Sequence, residues 1–288
     1  MIKYQSYLSL MKMSKNIVIT GVSTGLGYGA TKELLKRGWR VFGSVRKIED
    51  ANRLRGELGE NFVPLVFDVT DNAAILLAAE EVKQKLNGEG LDALVNNSGI
   101  SVTGPLQYIP IADLRKNFEV NVFGLVQVTQ AFLPLLGAVP EYSLTPGRIL
   151  NISSVNGKIA PPYMAPYTGT KHAVEGISQC LRRELLLFGI KVIIIGPGAV
   201  QTPIWDKGSL DLYKNTPYIA SLARFFKLFV TLGKQGMPLD EFSRRLADII
   251  ESRRPRTRYA IVQGVFTNWF LPRVIPARML DYFVRKRM

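Results

Sequence analysis

The sequence predicts an α/β protein built on a doubly wound parallel sheet. Two observations carry this. Short apolar runs alternate with stretches of helical periodicity through most of the chain, and a glycine-rich turn joins the first run to the first helix. A strand covered by helices on both faces is a continuous apolar run, because neither face meets water. Regular alternation of such runs with helices builds βαβ units.

The strand-like runs are Ile17–Thr20, Val41–Val45, Val63–Phe67, Ala93–Asn96, Ile149–Ile152 and Val192–Ile195, with a closing strand near Tyr259–Val262. Their Val, Ile and Phe content suits a sheet interior. Between them, apolar residues at helical spacing predict helices over Gly25–Arg37, Asn72–Leu86, Ile111–Leu136 and Tyr167–Phe188. The catalytic domain is expected over residues 14–265. Residues 1–13 are expected to be a poorly ordered leader, mildly apolar and without a signal-peptide cleavage site. No apolar run reaches the roughly 18 residues that a membrane span needs.

The turn T-G-V-S-T-G-L-G follows the first strand and opens a helix, the context of a dinucleotide site. Gly21 permits a tight turn, Gly25 and Gly27 allow backbone to approach a pyrophosphate, and Ser23, Thr24 and Leu26 complete the loop at the helix N-terminus, where N–H donors gather. Glycine turns also cap strands that bind nothing. The second strand ends in Val45, Arg46 and Lys47, with no carboxylate. An arginine there suits a 2′-phosphate, which points to NADP(H), although two basic residues after a strand also describe a solvated loop.

Tyr167 and Lys171 lie four residues apart in Y-T-G-T-K, on one face of a helix. A phenol titrates near pH 10 and is a poor base at neutrality. A neighbouring ammonium favours phenolate, so Tyr167 is a candidate general acid/base. Such pairs also arise by chance on helix surfaces. The order of motifs narrows the choice: glycine turn, N-N-S-G (Asn96 to Gly99), Asn121, Ser154 thirteen residues before Tyr167, Lys171, then P-G-A-V-Q-T.

That order resembles the short-chain dehydrogenase/reductase family, in its subgroup with an Asn-Ser-Tyr-Lys tetrad, from about Asn16 to Thr202. The phrase Y-T-G-T-K-H-A-V-E-G is close to its 17β-hydroxysteroid and retinol dehydrogenase branch. The resemblance implies that Asn121 holds a water linking Lys171 to solvent, and that Ser154 polarises the substrate oxygen. It implies that Lys171 also bonds the nicotinamide ribose. Asp68 and Val69 would hold adenine, with Asn97, Ser98 and Gly99 packing nearby. Pro197, Gly198, Val200 and Thr202 would meet the nicotinamide and diphosphate. The activity implied is interconversion of a carbonyl and an alcohol. Two other readings stay open on the residues: a dinucleotide-binding sensor without turnover, and a Rossmann methyltransferase, which would want an acid ending the second strand.

The family resemblance implies that residues 203–236 form a lid over the substrate. Trp205, Tyr213, Tyr218, Phe225, Phe226 and Phe229 suggest a lipophilic small-molecule substrate, steroid-, retinoid- or long-chain-like, or else they pack the lid onto the body. The single cysteine, Cys180, excludes an intrachain disulfide and is expected to be packed as a small hydrophobe. With His172 as the sole histidine, a Ser-His-Asp hydrolase or histidine-bound metal has almost nothing to use, and no metal is expected. The net charge is +14, and residues 252–288 contribute nine Lys/Arg against Asp281. No nucleic-acid motif accompanies that charge. A cytoplasmic protein is expected. The extension 266–288 mixes apolar residues with arginines, which fits a peripheral membrane contact or a cover for the pocket or a subunit interface. Pro272 and Pro276 restrict any helix there to a short one from about Ala277. The apolar excess on Ile111–Leu136 and Tyr167–Phe188 predicts a homodimer or homotetramer; the family resemblance implies an intersubunit four-helix bundle.

Overall fold

A computed structural model describes residues 15–203 and 210–287. The expected leader and Trp205 lie outside the described residues. Seven parallel strands form one sheet in the order β3-β2-β1-β4-β5-β6-β7. They are β1 (Lys15–Ile19), β2 (Trp39–Val45), β3 (Phe62–Val66), β4 (Ala93–Asn96), β5 (Arg148–Ile152), β6 (Lys191–Pro197) and β7 (Arg258–Ile261). Every apolar run predicted as a strand contributes to this sheet. The order reverses between β1 and β4, which opens a crevice beyond their carboxyl ends.

Alternation along each strand feeds two cores. Ile17 and Ile19 point to one face, where α1 (Gly25–Lys36), α2 (Ile48–Leu58) and α8 (Leu239–Glu251) supply Leu34, Leu54, Phe242 and Leu246. Val18 points to the other, against Val82 of α3 (Asn72–Leu86) and Phe132 of α5 (Gly124–Leu136). The period of two along a strand is what lets one apolar run serve both layers. A Cβ on Gly29 of α1 would collide with Ser243 and Leu239, so glycine permits the close approach of α1 and α8.

Sequence periodicity missed α2 and α8. In α2 only Ala51 and Leu54 are buried, too few to stand out. The long helix predicted over Ile111–Leu136 is divided into α4 (Ile111–Phe118), a π turn (Glu119–Phe123) and α5. Taken together this stretch is long and apolar enough to cross a membrane, contrary to the sequence expectation. Here it forms a layer on the sheet, with Asn117, Asn121 and Thr129 buried and bonded to protein.

The helix α6 (Ala165–Glu184) begins before Tyr167, and its last turn tightens to 3₁₀ geometry over Leu185–Phe188. Thr170, Lys171, Val174 and Ser178 face inward, which turns Cys180 outward. The expectation that Cys180 is packed therefore fails: the thiol is off the buried stripe. His172 is exposed, with Nδ1 2.9 Å from the Thr168 carbonyl oxygen.

One ionic node ties α6 to the sheet edge. Glu175 is 2% exposed, and Arg258 of β7 donates to its Oε1 and Oε2 at 3.0 Å each. Lys158 lies 3.5 Å away, and the Arg258 guanidinium also stacks 4.1 Å from the Trp269 ring. Removing Arg258 leaves the buried Glu175 carboxylate facing only the partly exposed Lys158. Arg258→Met should therefore lower stability, by at most about 3–5 kcal/mol, read from urea unfolding. An unchanged midpoint would show that the pair contributes nothing.

Candidate active site

A cavity of about 890 Å³ lies at the carboxyl ends of the strands. Of the described residues expected to carry catalysis or to hold the cofactor, all but Gly27 and Asn121 line it.

At one end the glycine turn forms the floor. Gly21 has φ +70°, and its N–H donates to Ser44 Oγ at 3.1 Å. Thr24 caps α1 in an extended conformation without bonding the helix through its side chain, so the first-turn N–H groups face the cavity. Asn97 Nδ2 donates to the carbonyls of Thr20 (2.8 Å) and Gly21 (3.0 Å), while Thr20 Oγ1 accepts from the N–H groups of Asn97 and Ser98 at 2.9 Å each. These bonds join the β1 and β4 loops across the crevice. A Cβ on Gly27 would collide with the Gly21 carbonyl and Asn97, so this glycine lets α1 pack against its own loop.

Arg46 lies exposed at the end of β2 and lines the cavity, with Lys47 exposed beside it. Asp68 Oδ1 accepts from Thr70 N–H and Oγ1 at 3.0 and 2.8 Å, closing a turn that holds Val69 at the wall. Opposite, Gly198 N–H donates to Ile261 O at 3.0 Å, and Val200 bridges to Met237. A Cβ on Gly25 would lie 3.7 Å from Thr202 Cβ, so this loop crosses directly over the glycine turn. Helix-terminal N–H groups, a backbone cradle and Arg46 make a donor set that fits a phosphorylated dinucleotide.

At the other end α6 presents Tyr167 and Lys171. Lys171 Nζ lies 5.6 Å from the phenol ring centre and donates to the Ile152 carbonyl at 2.8 Å. Burial lowers its pKa to about 8. Burial pushes the Tyr167 phenol up from its ordinary value, and a hydrogen bond with the Ser154 hydroxyl works in the opposite direction. The expected lowering of the phenol by its cationic neighbour is thus not what the site shows: removal from water outweighs the assistance available, and the ammonium is directed at Ile152. Ser154 Oγ also accepts from Asn156 N–H at 3.1 Å, and the Arg258 guanidinium reaches the Ser154 carbonyl at 3.4 Å.

Asn121 sits behind this wall, at the centre of the π turn. Its Oδ1 accepts from Ile100 N–H at 2.8 Å, and its Nδ2 donates to Ile100 O and Thr170 Oγ1 at 2.9 and 3.0 Å. Both amide atoms are engaged with protein, so its side chain braces the loop after β4 against α6.

Sequence reasoning missed the far wall. Pro161, Pro162, Tyr163 and Met164 line it, and Val284 joins them from the extension, one of whose expected roles was to cover the pocket. The apolar run P-P-Y-M between Ser154 and Tyr167 was the available signal. From the lid helix α7 (Ile219–Lys234), Arg224, Phe225, Leu228, Phe229 and Leu232 face the cavity. Tyr213, Tyr218 and Phe226 instead pack against Tyr163 and Phe225 in a small core. Tyr163 has φ +64°, its carbonyl accepts from Gly104 N–H at 2.7 Å, and its hydroxyl meets Ser221 Oγ at 2.6 Å.

Comparison with known proteins agrees with this architecture. The family model for short chain dehydrogenases matches residues 15–211. An NADPH-dependent 3-dehydrocapnine reductase of Ornithobacterium rhinotracheale is 39% identical over 92% of this chain and 94% of its own. The 17-beta-hydroxysteroid dehydrogenase type 6 of Bos taurus is 33% identical, over 94% of this chain and 88% of its own. A short-chain dehydrogenase structure from Streptomyces avermitilis superposes with a TM-score of 0.76 at 25% identity, covering 95% of this chain and 94% of that one. A parallel sheet with its switch point at a glycine turn, Ser154 beside Tyr167, and Lys171 one turn along the same helix converge with these matches: the chain belongs to the short-chain dehydrogenase family.

Proposed function

We propose that this protein is an NADP(H)-dependent oxidoreductase that interconverts a carbonyl and an alcohol on a lipophilic substrate, steroid-, retinoid- or long-chain-like. The observation that carries this is a single cavity holding the Ser154–Tyr167 pair between the glycine turn and an apolar wall. The nicotinamide cofactor, when bound, supplies or accepts the hydride. Gly21, Ser23, Thr24, Gly25 and Leu26 would hold its diphosphate, Arg46 its 2′-phosphate, and Asp68, Val69 and the Asn97–Gly99 turn its adenine side. Pro197, Gly198, Val200 and Thr202 would close over the nicotinamide end. The NADPH dependence named for the Ornithobacterium relative supports the same cofactor.

Tyr167 supplies the proton to the carbonyl oxygen in reduction and removes it from the hydroxyl in oxidation. Ser154 hydrogen-bonds that oxygen and so orients it. Lys171 bears a cation at neutral pH, beside the position where phenolate forms. Phe225, Leu228, Phe229 and Leu232 exclude water and receive an apolar body.

Tyr167→Phe removes the transferable proton alone. Turnover should fall by about 10²- to 10⁴-fold while cofactor affinity, read by NADPH fluorescence, stays near wild type. Retained activity would refute the assigned role. Lys171→Met should damage both turnover and cofactor binding.

The phenol is raised above its ordinary value, so the protonated form needed for reduction is present through neutral pH. Reduction should hold from acid to neutral pH and fall in alkali, while alcohol oxidation should climb with pH. Initial rates in both directions against pH check the sign; parallel profiles would contradict it.

Arg46→Glu replaces a charge-assisted phosphate bond with repulsion. It should shift the ratio of kcat/KM for NADPH over NADH by at least about 10- to 150-fold towards NADH. A wild-type enzyme that already prefers NADH would overturn the assignment.

The exposed Ile111 and Phe123, at 59% and 50%, and the outward Cys180 lie along α4, its π turn and α6. They support assembly into a homodimer or homotetramer through these helices. Light scattering should give a multiple of the 32.1 kDa chain mass, with Cys180 slow to react with a maleimide. A strict monomer would rule it out.

A further inference from the structure

The cavity opens at a rim that is apolar and exposed together. Leu228 and Leu232 of α7 line it and are still 44% and 50% exposed. Beside them Val284 lines the cavity from α10 (Ala277–Arg287). Helical spacing puts Leu280 with Val284 on the half-buried side of α10, and Met279, Tyr282 and Phe283 on another. Those three are 45%, 54% and 49% exposed. A helix docked by one stripe that leaves a second apolar stripe in water is an unpartnered surface.

The charge around that stripe is predominantly positive. α7 carries Arg224, Lys227 and Lys234 and no acid; α10 carries Arg278, Arg285 and Lys286, with Asp281 its one acid. Among the described residues Lys227, Lys234, Arg278, Arg285 and Lys286 enter no ion pair. Arg278 and Arg285 are seven residues apart, so they flank the apolar stripe on one side, and Lys286 lies over the Tyr282 ring at 4.6 Å. Apolar side chains bordered by free cations match the acyl boundary and the anionic headgroups of a lipid bilayer.

We propose that α10 and the exposed edge of α7 dock the protein on an anionic lipid bilayer, with the cavity mouth facing the membrane. The docked surface includes the rim, so a lipophilic molecule would pass between bilayer and cavity without crossing water. The docking itself is independent of which carbonyl the enzyme reduces, and its test uses no turnover.

The full chain is centrifuged with vesicles of phosphatidylcholine mixed with phosphatidylglycerol, and with vesicles of phosphatidylcholine alone. Co-sedimentation is expected with the anionic vesicles and should weaken with salt. Arg278→Gln with Arg285→Gln should lower the partition coefficient by about thirtyfold. Met279→Ser with Phe283→Ser should abolish binding while leaving the thermal transition in place. The two pairs test charge and apolar contact separately, so one that fails to fold leaves the other as the test. No wild-type binding to anionic vesicles overturns the proposal, as does binding that both pairs leave unchanged. A serine pair that converts an oligomer to monomer without affecting vesicle binding assigns the stripe to a second copy, and also overturns it.

Discussion

The site depends on the packing of α6 across β5 and β6. Tyr167, Lys171 and Glu175 follow at i, i+4 and i+8 on one face of that helix, and each meets a different part of the sheet end. Tyr167 meets Ser154 beyond β5, Lys171 bonds the last carbonyl of β5, and Glu175 is held by Arg258 from β7. A rotation of α6 by a fraction of a turn would break all three together. Reacting groups placed by a rigid helix against a rigid sheet hold their geometry better than groups on loops. The salt bridge from Glu175 is thus a positional constraint on Tyr167 two turns away.

Electrostatics in the same wall follow from exclusion of water. Lys171 is held close to the pH at which it loses its charge, and the phenol stays protonated through neutrality. An amine near its titration point responds strongly to any charge brought beside it. An exposed lysine, well below its pKa, would respond hardly at all.

The strands and the glycine turn were legible because each is written locally, as an apolar run and as glycines at a strand end; the spacing of four likewise put Tyr167 and Lys171 on one helix face. What was not legible depends on contacts distant in sequence. Gly27 belongs to the glycine turn by sequence, and its tight packing against Asn97 is seen only in the fold. The amide of Asn121 braces Ile100 and Thr170, a pairing the chain order does not announce. Cys180 sits among apolar neighbours in sequence, but the inward stripe of α6 runs through Lys171, Val174 and Ser178, so the thiol faces out. The direction of the Tyr167 shift needed burial, which no motif encodes.

The buried amides of the central strands carry a consequence for how the chain reaches this fold. Asn96 of β4 donates to Asn151 of β5 at 2.8 Å, and Asn151 donates to Ser178 of α6 at 2.8 Å. The surrounding strand residues are aliphatic and would tolerate several alignments. Sliding β5 by one residue would turn Asn151 to the opposite face and leave amide groups without partners, at about 1–3 kcal/mol for each. The pair therefore acts as a key cut for a single alignment, rejecting near-native sheets that greasy side chains alone would accept. Because the same alignment sets Ser154 three residues beyond Asn151, a correctly closed sheet and a correctly placed hydroxyl become one event in assembly.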